Sequence, residues 1–351
     1  MTLTEAKPSQ ESLPIGRRTA RLGTVDLLRC IAGTGVLWHH MTLDSRLPTL
    51  RDTGRYGWTG VEIFFVVSGF VIPYAMHGAG YRVAKDIKTF LLRRLIRLDP
   101  PYFAASAGAV LLWYLAWLTP GFGGPAPPVD WATSLAHIGY LNGFLGLPWY
   151  LPVSWTLGIE FQFYLIAAIA FPALVARTSA FLPLAVLVNA ITLLGVHFGF
   201  VSAARAGAPA ILSWVPLFVM GIAAFRRFAG MASNREFLFS LVTSAAVGFL
   251  AGRWAGIVAA VPSAVLLAYG SITLPRLLQS YAGITYSLYL VHDPVGMRAV
   301  HLVQRLGQSP GVEMLAALGG VMASLAAAVV FWHYVERPAL RWAAAVKTSS
   351  R

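Results

Sequence analysis

Ten stretches of about 17 to 25 mostly apolar residues follow one another along this chain. They lie near residues 24–43, 58–76, 100–119, 155–175, 181–200, 208–225, 237–252, 254–273, 281–298 and 313–333. No other feature constrains the fold as strongly. Apolar runs of that length, repeated that often, belong in a bilayer, where every backbone N–H and C=O must be satisfied internally. Composition agrees. Charged residues make up 12% of the chain and hydrophobic residues 57%, whereas a soluble domain carries about a quarter charged residues. The expected fold is all-α: a polytopic transmembrane helical bundle of about ten spans.

Between the spans, residues 131–150 ("WATSLAHIGYLNGFLGLPWY") are apolar but interrupted by Gly and Pro, and read as a re-entrant or interfacial segment. Residues 1–20 read as a disordered polar arm, 21–342 as a single membrane domain and 343–351 as a short tail. The first span follows about 20 polar residues and has no small-x-small cleavage site after it, so no signal peptide is expected. The net charge of +13 does not mark a nucleic-acid binder, because the basic residues fall in short clusters between apolar runs. With ten crossings, nineteen Lys and Arg residues fall on the amino-terminal side, including Arg82, Lys85, Lys88 and the 93–97 group. Seven fall on the other side, and Arg29 lies within a span. By the positive-inside rule, both termini are expected in the cytoplasm. A single cysteine, Cys30, excludes an intrachain disulfide and a thiolate metal cluster.

Ionisable groups are costly in lipid, so those inside spans need a reason. The first span, "DLLRCIAGTGVLWHH", carries Asp26, Arg29, His39 and His40. At about 100° per residue, Arg29 and His40 are about 20° apart in projection, and Asp26 is about 40° from His40. His39 points about 80° away from Arg29. A polar stripe of Asp26, Arg29 and His40 therefore runs up one face, over about 16 Å from Arg29 to His40. It reads as a functional track or as a wet interfacial belt. In "FLLRRLIRLDPPY", Arg93 and Arg97 share a face and Arg94 is adjacent. Three guanidiniums suit a phosphate-bearing ligand, or the head groups of anionic lipids. Glu62 and Glu160 sit at or inside outer span ends. Each reads as a base partner or sugar-hydroxyl acceptor, or as half of an ion pair. Glu336 beside Arg337 reads as local structure. His292, in "SLYLVHDP", reads as an acceptor-side group or a satisfied bundle histidine. No metal-binding motif, phosphate-binding loop or nucleophile elbow is present.

These motifs, in this order, resemble the acyltransferase 3 family of integral-membrane acyltransferases. The family's first span resembles D-x-L-R-G-x-A with a histidine eleven residues after the arginine, as in Asp26, Leu28, Arg29, Ala32 and His40; Cys30 replaces the usual glycine. "GVEIFFVVSGF", "FLLRRLIRLDPPY", "WTLGIEFQFYL", "YSLYLVHDP" and "ERP" are similar to the family's later motifs. The resemblance runs from about residue 24 to 340 and implies a minimal form without an extra extracytoplasmic domain. It implies O-acetylation of a carbohydrate, such as an exopolysaccharide, or of a glycolipid or other glycosylated acceptor, with acyl-CoA (acetyl-CoA) as the donor substrate and no permanently bound cofactor or metal. In that picture Arg29, Arg93, Arg94 and Arg97 bind the donor. His40 is the base or a transient acyl carrier, Glu160 or Asp26 orients it, and Glu62 and His292 flank the acceptor. The implied partners are the acceptor and membrane lipids, not nucleic acid, with homo-oligomerisation left open. A sugar or lipid-linked glycan transporter or flippase is the rival expectation. It requires inverted halves with paired broken helices, which the sequence does not display. A non-catalytic lipid-binding scaffold leaves the Arg29–His40 register unexplained.

Overall fold

The structure is a computed structural model that describes residues 15–119, 123–176, 181–199 and 211–346. Most of the expected arm, the end of the tail, and the basic residues Lys7, Arg177, Arg205, Lys347 and Arg351 lie outside them. Among the described residues every regular element is helical. The helices are α1 (Ile15–Leu43), α2 (Pro48–Gly54), α3 (Gly60–Gly78), α4 (Val83–Trp117), α5 (Trp131–Ile138), α6 (Asn142–Leu145), α7 (Trp155–Val175) and α8 (Phe181–His197). They continue with α9 (Val215–Phe228), α10 (Asn234–Leu250), α11 (Trp254–Tyr269), α12 (Arg276–Val291), α13 (Arg298–Gln304), α14 (Pro310–Phe331) and α15 (Arg337–Ala345). Among the described residues each of the ten apolar stretches overlaps one of α1, α3, α4, α7 to α12 and α14. Residues 48–78, 152–175 and 310–345 are helical stretches long and apolar enough to cross a membrane.

The apolar sequence forces this outcome, and small residues decide how closely the helices approach. Helices α3 and α9 cross at Gly69 and Gly221. A methyl group on Gly221 would sit 2.8 Å from the Gly69 Cα, so the contact is backbone against backbone. Such approaches substitute for a hydrophobic driving force in lipid. Helix α4 runs through Pro100 and Pro101, which deprive the carbonyls of Ile96 and Arg97 of their helical donors. At that point neighbouring tyrosines close on the helix. The Tyr286 hydroxyl donates to the Leu98 carbonyl at 3.0 Å and the Tyr140 hydroxyl to Asp99 Oδ1 at 2.7 Å.

Residues 131–150 hold only α5 and α6, of eight and four residues. Eight residues rise about 12 Å, well short of a hydrocarbon core of about 30 Å. The segment folds onto itself. Asp130 caps α5 by accepting from the Thr133 N–H at 2.8 Å and from the Thr133 hydroxyl at 2.6 Å. His137 donates from Nδ1 to the Thr133 carbonyl at 2.7 Å, and its Nε2 accepts from the Tyr150 N–H at 3.1 Å. Tyr140 takes a left-handed backbone, φ 57°, and its ring stacks on Tyr102 at 5.2 Å.

Two long helical stretches contain π-helical turns. His292–Met297 joins α12 to α13, and Trp332–Glu336 joins α14 to α15. A π turn adds a residue to the turn and redirects side chains, which is why it recurs at functional sites. The first of these turns begins at a histidine.

Candidate active site

Helices α1, α3, α4, α7 and α12 enclose a cavity of about 160 Å³. Its polar wall is made by Arg29, Ser68, Arg94, Arg97, Glu160 and Tyr164, with Phe64 and Tyr289 among its aromatic residues. A second cavity, of about 510 Å³, lies between α4 and α15 and is lined by Arg93, Arg94 and Arg97 together with Leu340, Ala343 and Ala344. Arg94 and Arg97 belong to both walls. The i, i+1, i+4 spacing on α4 produces this arrangement: it turns two guanidiniums toward a boundary that a third approaches from one side.

The three arginines are held differently. Arg93 donates from Nε and Nη2 to the Val346 carbonyl, at 3.1 and 2.5 Å. The Arg94 guanidinium lies 5.5 Å from the Phe90 ring centre and 5.3 Å from that of Tyr164, close enough for cation–π attraction. Opposite them, Glu160 Oε1 accepts from the Tyr164 hydroxyl and, at 3.2 Å, from the Ser68 hydroxyl. Glu160 is thus a carboxyl group built into an arginine-rich cavity wall. Glu336, expected to act locally beside Arg337, instead reaches another helix: it is buried and its Oε2 accepts from the Ser287 N–H and hydroxyl at 3.1 and 2.5 Å.

His40 lies further along α1 and lines neither cavity. Its Nδ1 is 2.9 Å from the Val36 carbonyl and 3.3 Å from His292 Nε2. The two imidazoles meet edge to face with centroids 4.8 Å apart. His292, 1% exposed, has its Nδ1 at 3.1 Å from the Leu288 carbonyl and 2.8 Å from that of Tyr289. Tyr289 belongs to both places. Its ring lines the smaller cavity, packs 6.3 Å from Phe64 and lies 5.8 Å from the His292 ring. His39 turns away, with Nδ1 2.9 Å from the Gly54 carbonyl.

Glu160 and Asp26 were the expected orienting groups for His40. Glu160 instead bonds Tyr164 and Ser68, Asp26 lies a turn below Arg29 on α1, and the ring against His40 is that of His292. His292, expected on the acceptor side, packs against His40. Glu62, also expected there, is 1% exposed, and its Oε1 is 3.7 Å from Arg253 Nη1. The Arg253 guanidinium sits 3.6 Å from the centre of the Trp214 ring. That is an ion pair, and it lines neither cavity. Ser68, Tyr164 and Tyr289 were missed. The Glu160–Tyr164 spacing of four residues was a legible clue, and Ser68 lies inside the quoted "GVEIFFVVSGF". Among the described residues no group of three His, Cys, Asp or Glu side chains is placed to hold a metal.

Comparison with known proteins bears on this arrangement. A family model described as an acyltransferase domain matches residues 22–333. The peptidoglycan O-acetyltransferase OatA of Listeria monocytogenes is 28% identical over 151 residues, which is 41% of this chain and 23% of that protein. The match thus spans less than a quarter of the relative's length. No solved structure matches.

Proposed function

The chain belongs to this acyltransferase family, and on that premise we propose that it is a membrane O-acyltransferase, moving an acetyl group from cytoplasmic acetyl-CoA to a hydroxyl of a carbohydrate or glycosylated acceptor. The observation that carries the proposal is the placement of arginines. Arg94 and Arg97 stand in the walls of two cavities, and Arg29 faces them on the helix that carries His40. Guanidiniums bind phosphates through paired donors. A coenzyme A donor presents phosphates at one end and a thioester at the end of a long arm. In the proposed pose the phosphates rest in the larger cavity and the arm passes Arg97 and Arg29, following the α1 face toward His40. Glu160 limits the positive charge of the inner cavity and, through Ser68 and Tyr164, fixes its wall. The proposal includes ten membrane crossings with the termini and the larger cavity on the cytoplasmic side. The bacterial inner membrane is the proposed location.

The chemistry is acyl transfer with His40 as general base. His40 Nε2 takes the proton of the acceptor hydroxyl as its oxygen attacks the thioester carbonyl carbon. A C–O bond forms and the carbonyl electrons move onto oxygen. When that tetrahedral species collapses, the C–S bond breaks and the sulfur leaves with its electron pair. The proton on His40 Nε2 passes to that sulfur, giving free coenzyme A, an acetyl ester and a neutral histidine. A side chain with an ordinary pKa near neutrality suits both proton transfers.

The test is release of coenzyme A from acetyl-CoA by the purified protein in lipid nanodiscs, paired with mass spectrometry of surface glycans from cells with and without the gene. Enzyme-dependent thiol release and loss of an acetyl mass from a glycan are the expected results. A protein that leaves acetyl-CoA untouched under acceptor-rich conditions, with unchanged glycans, overturns the reading.

A further inference from the structure

The hydrogen-bond geometry behind His40 admits one neutral arrangement of protons. His292 Nδ1 faces two carbonyl oxygens, of Leu288 at 3.1 Å and Tyr289 at 2.8 Å. A bare nitrogen lone pair there would meet two acceptors and no donor. His292 Nδ1 therefore carries the hydrogen, and in a neutral imidazole its Nε2 is then an acceptor. That Nε2 lies 3.3 Å from His40 Nδ1. His40 Nδ1 is itself 2.9 Å from the Val36 carbonyl. Two acceptors, one a carbonyl and one an imidazole nitrogen, converge on it, so it too carries the hydrogen. The remaining nitrogen of His40, Nε2, is left with a free lone pair and has no hydrogen bond to a described residue.

We propose that His292 is a positioning residue: through its Nε2 it fixes His40 in the Nδ1–H tautomer, so that His40 presents an unprotonated Nε2 to the acceptor hydroxyl. The inference rests on the acyl-transfer reading above and gives it a direction, since a base needs its lone pair on the nitrogen that faces substrate. The Val36 carbonyl alone does not secure this. It lies one turn back on the same helix as His40, so it moves with that helix and competes with the ordinary helical donor. His292 arrives from 252 residues away and fixes the ring from a second helix. A π turn starts at His292 and contains Pro294, which has no backbone N–H. Burial completes the device. At 1% exposure, no bulk water competes for the His292 nitrogens, whereas His40 is half-buried.

The same two rings carry a second implication. In the proposed pose the thioester approaches through the cavity that Tyr289 lines, and the Tyr289 carbonyl is one of the two acceptors that fix the His292 proton. The donor cavity and the base are thus mechanically joined through one residue, which also donates from its hydroxyl to the Val153 carbonyl at 2.7 Å.

The test uses the full chain in nanodiscs with acetyl-CoA as probe and coenzyme A release as the activity. His292→Leu is expected to lower kcat about 100-fold, in the range of general-base contributions, while the KM for acetyl-CoA stays within about two-fold. In His292→Gln, Oε1 accepts where Nε2 did, and kcat is expected to return to within about ten-fold of the wild type. A second readout is independent of turnover. In ¹⁵N-histidine spectra, with the His40 signals identified by their absence in His40→Ala, the wild type should show a protonated Nδ1 and a bare Nε2. His292→Leu should show both tautomers. A wild-type His40 protonated at Nε2 overturns the proposal, as does a His292→Leu protein with unchanged kcat and an unchanged tautomer. Should the Leu variant fail to fold, the wild-type spectrum and His292→Gln still decide. A wild type with the expected spectrum but no coenzyme A release would sink the acyl-transfer reading and leave the tautomer assignment standing.

Discussion

Arg93 ties the carboxyl-terminal segment to the helix that carries the arginine cluster: its Nε and Nη2 both donate to the Val346 carbonyl. One of three adjacent arginines is therefore engaged by the protein itself, and the three are not interchangeable. Arg97→Ala should raise the KM for acetyl-CoA by about 10- to 100-fold, because it removes a charge-assisted contact worth about 1.5–3 kcal/mol. Arg93→Ala should change that KM less than about three-fold. Its effect should appear in hydrogen exchange, where amides of Arg337–Ala345 lose protection because α15 packs on α4 beside this bond. Equal KM effects at the two positions would show that Arg93 leaves Val346 when donor binds.

His40→Ala should abolish coenzyme A release while the protein inserts and melts like the wild type. His39→Ala should keep most of the activity. Its cost should appear as stability instead, about 1 kcal/mol for the bond to the Gly54 carbonyl. Thermal melting and coenzyme A release, measured on the same preparations, separate the two histidines. An inactive His39→Ala beside an active His40→Ala would reverse the assignment.

Glu62 and Arg253 are buried together, at 1% and 8% exposure, and Glu62 Oε2 and Arg253 Nη2 have no other partner among the described residues. Removing one member of such a pair strands the other charge, typically at a cost of about 3–5 kcal/mol. Arg253→Met alone should therefore destabilise strongly. Adding Glu62→Gln should recover much of the loss, and the thermal melts of the four proteins in that double-mutant cycle measure the coupling. Additive melts would mean that the pair is not coupled.

Segment 131–150 fixes the geometry of everything after it. In a Cys30→Ser background, cysteine labels at positions 125 and 152 should react from the same, outer side. Labels at 88 and 348 should react from the cytoplasm, and one at 52 from outside. Opposite sides for 125 and 152 would make the segment a crossing and place the carboxyl terminus outside.

The cap of that segment is pH-dependent in a defined direction. Asp130 is held below the ordinary aspartate range, first by the Thr133 hydroxyl and then by the Thr133 N–H. A lowered carboxyl pKa stabilises the fold above its unfolded value, and the contribution is lost as the pH falls through the lowered one. Protection factors of the Trp131–Ile138 amides should therefore be flat near neutrality and fall only in acid. In Asp130→Ala they should be low throughout.

Hydropathy and helical periodicity determined what is local. Ten apolar stretches become helices because a lipid-like environment leaves a backbone no other way to pair its N–H and C=O groups. The angle from Arg29 to His40 follows from the helical repeat along α1, and His39 faces away for the same reason. The Gly and Pro breaks in 131–150 left helices too short to span. Which helices become neighbours was a different matter. Spans that are apolar on every side carry little pattern that favours one partner over another, and close approach turns on small residues such as Gly69 and Gly221, whose partners are set only when whole surfaces meet. His40 could not be matched with His292, nor Arg93 with Val346, because each pair joins residues about 250 positions apart. Glu160 was misassigned for the same reason. Its place on α7 was legible, but the helices opposite it were not, and in a low-dielectric interior the nearest donors and cations decide what a carboxylate does.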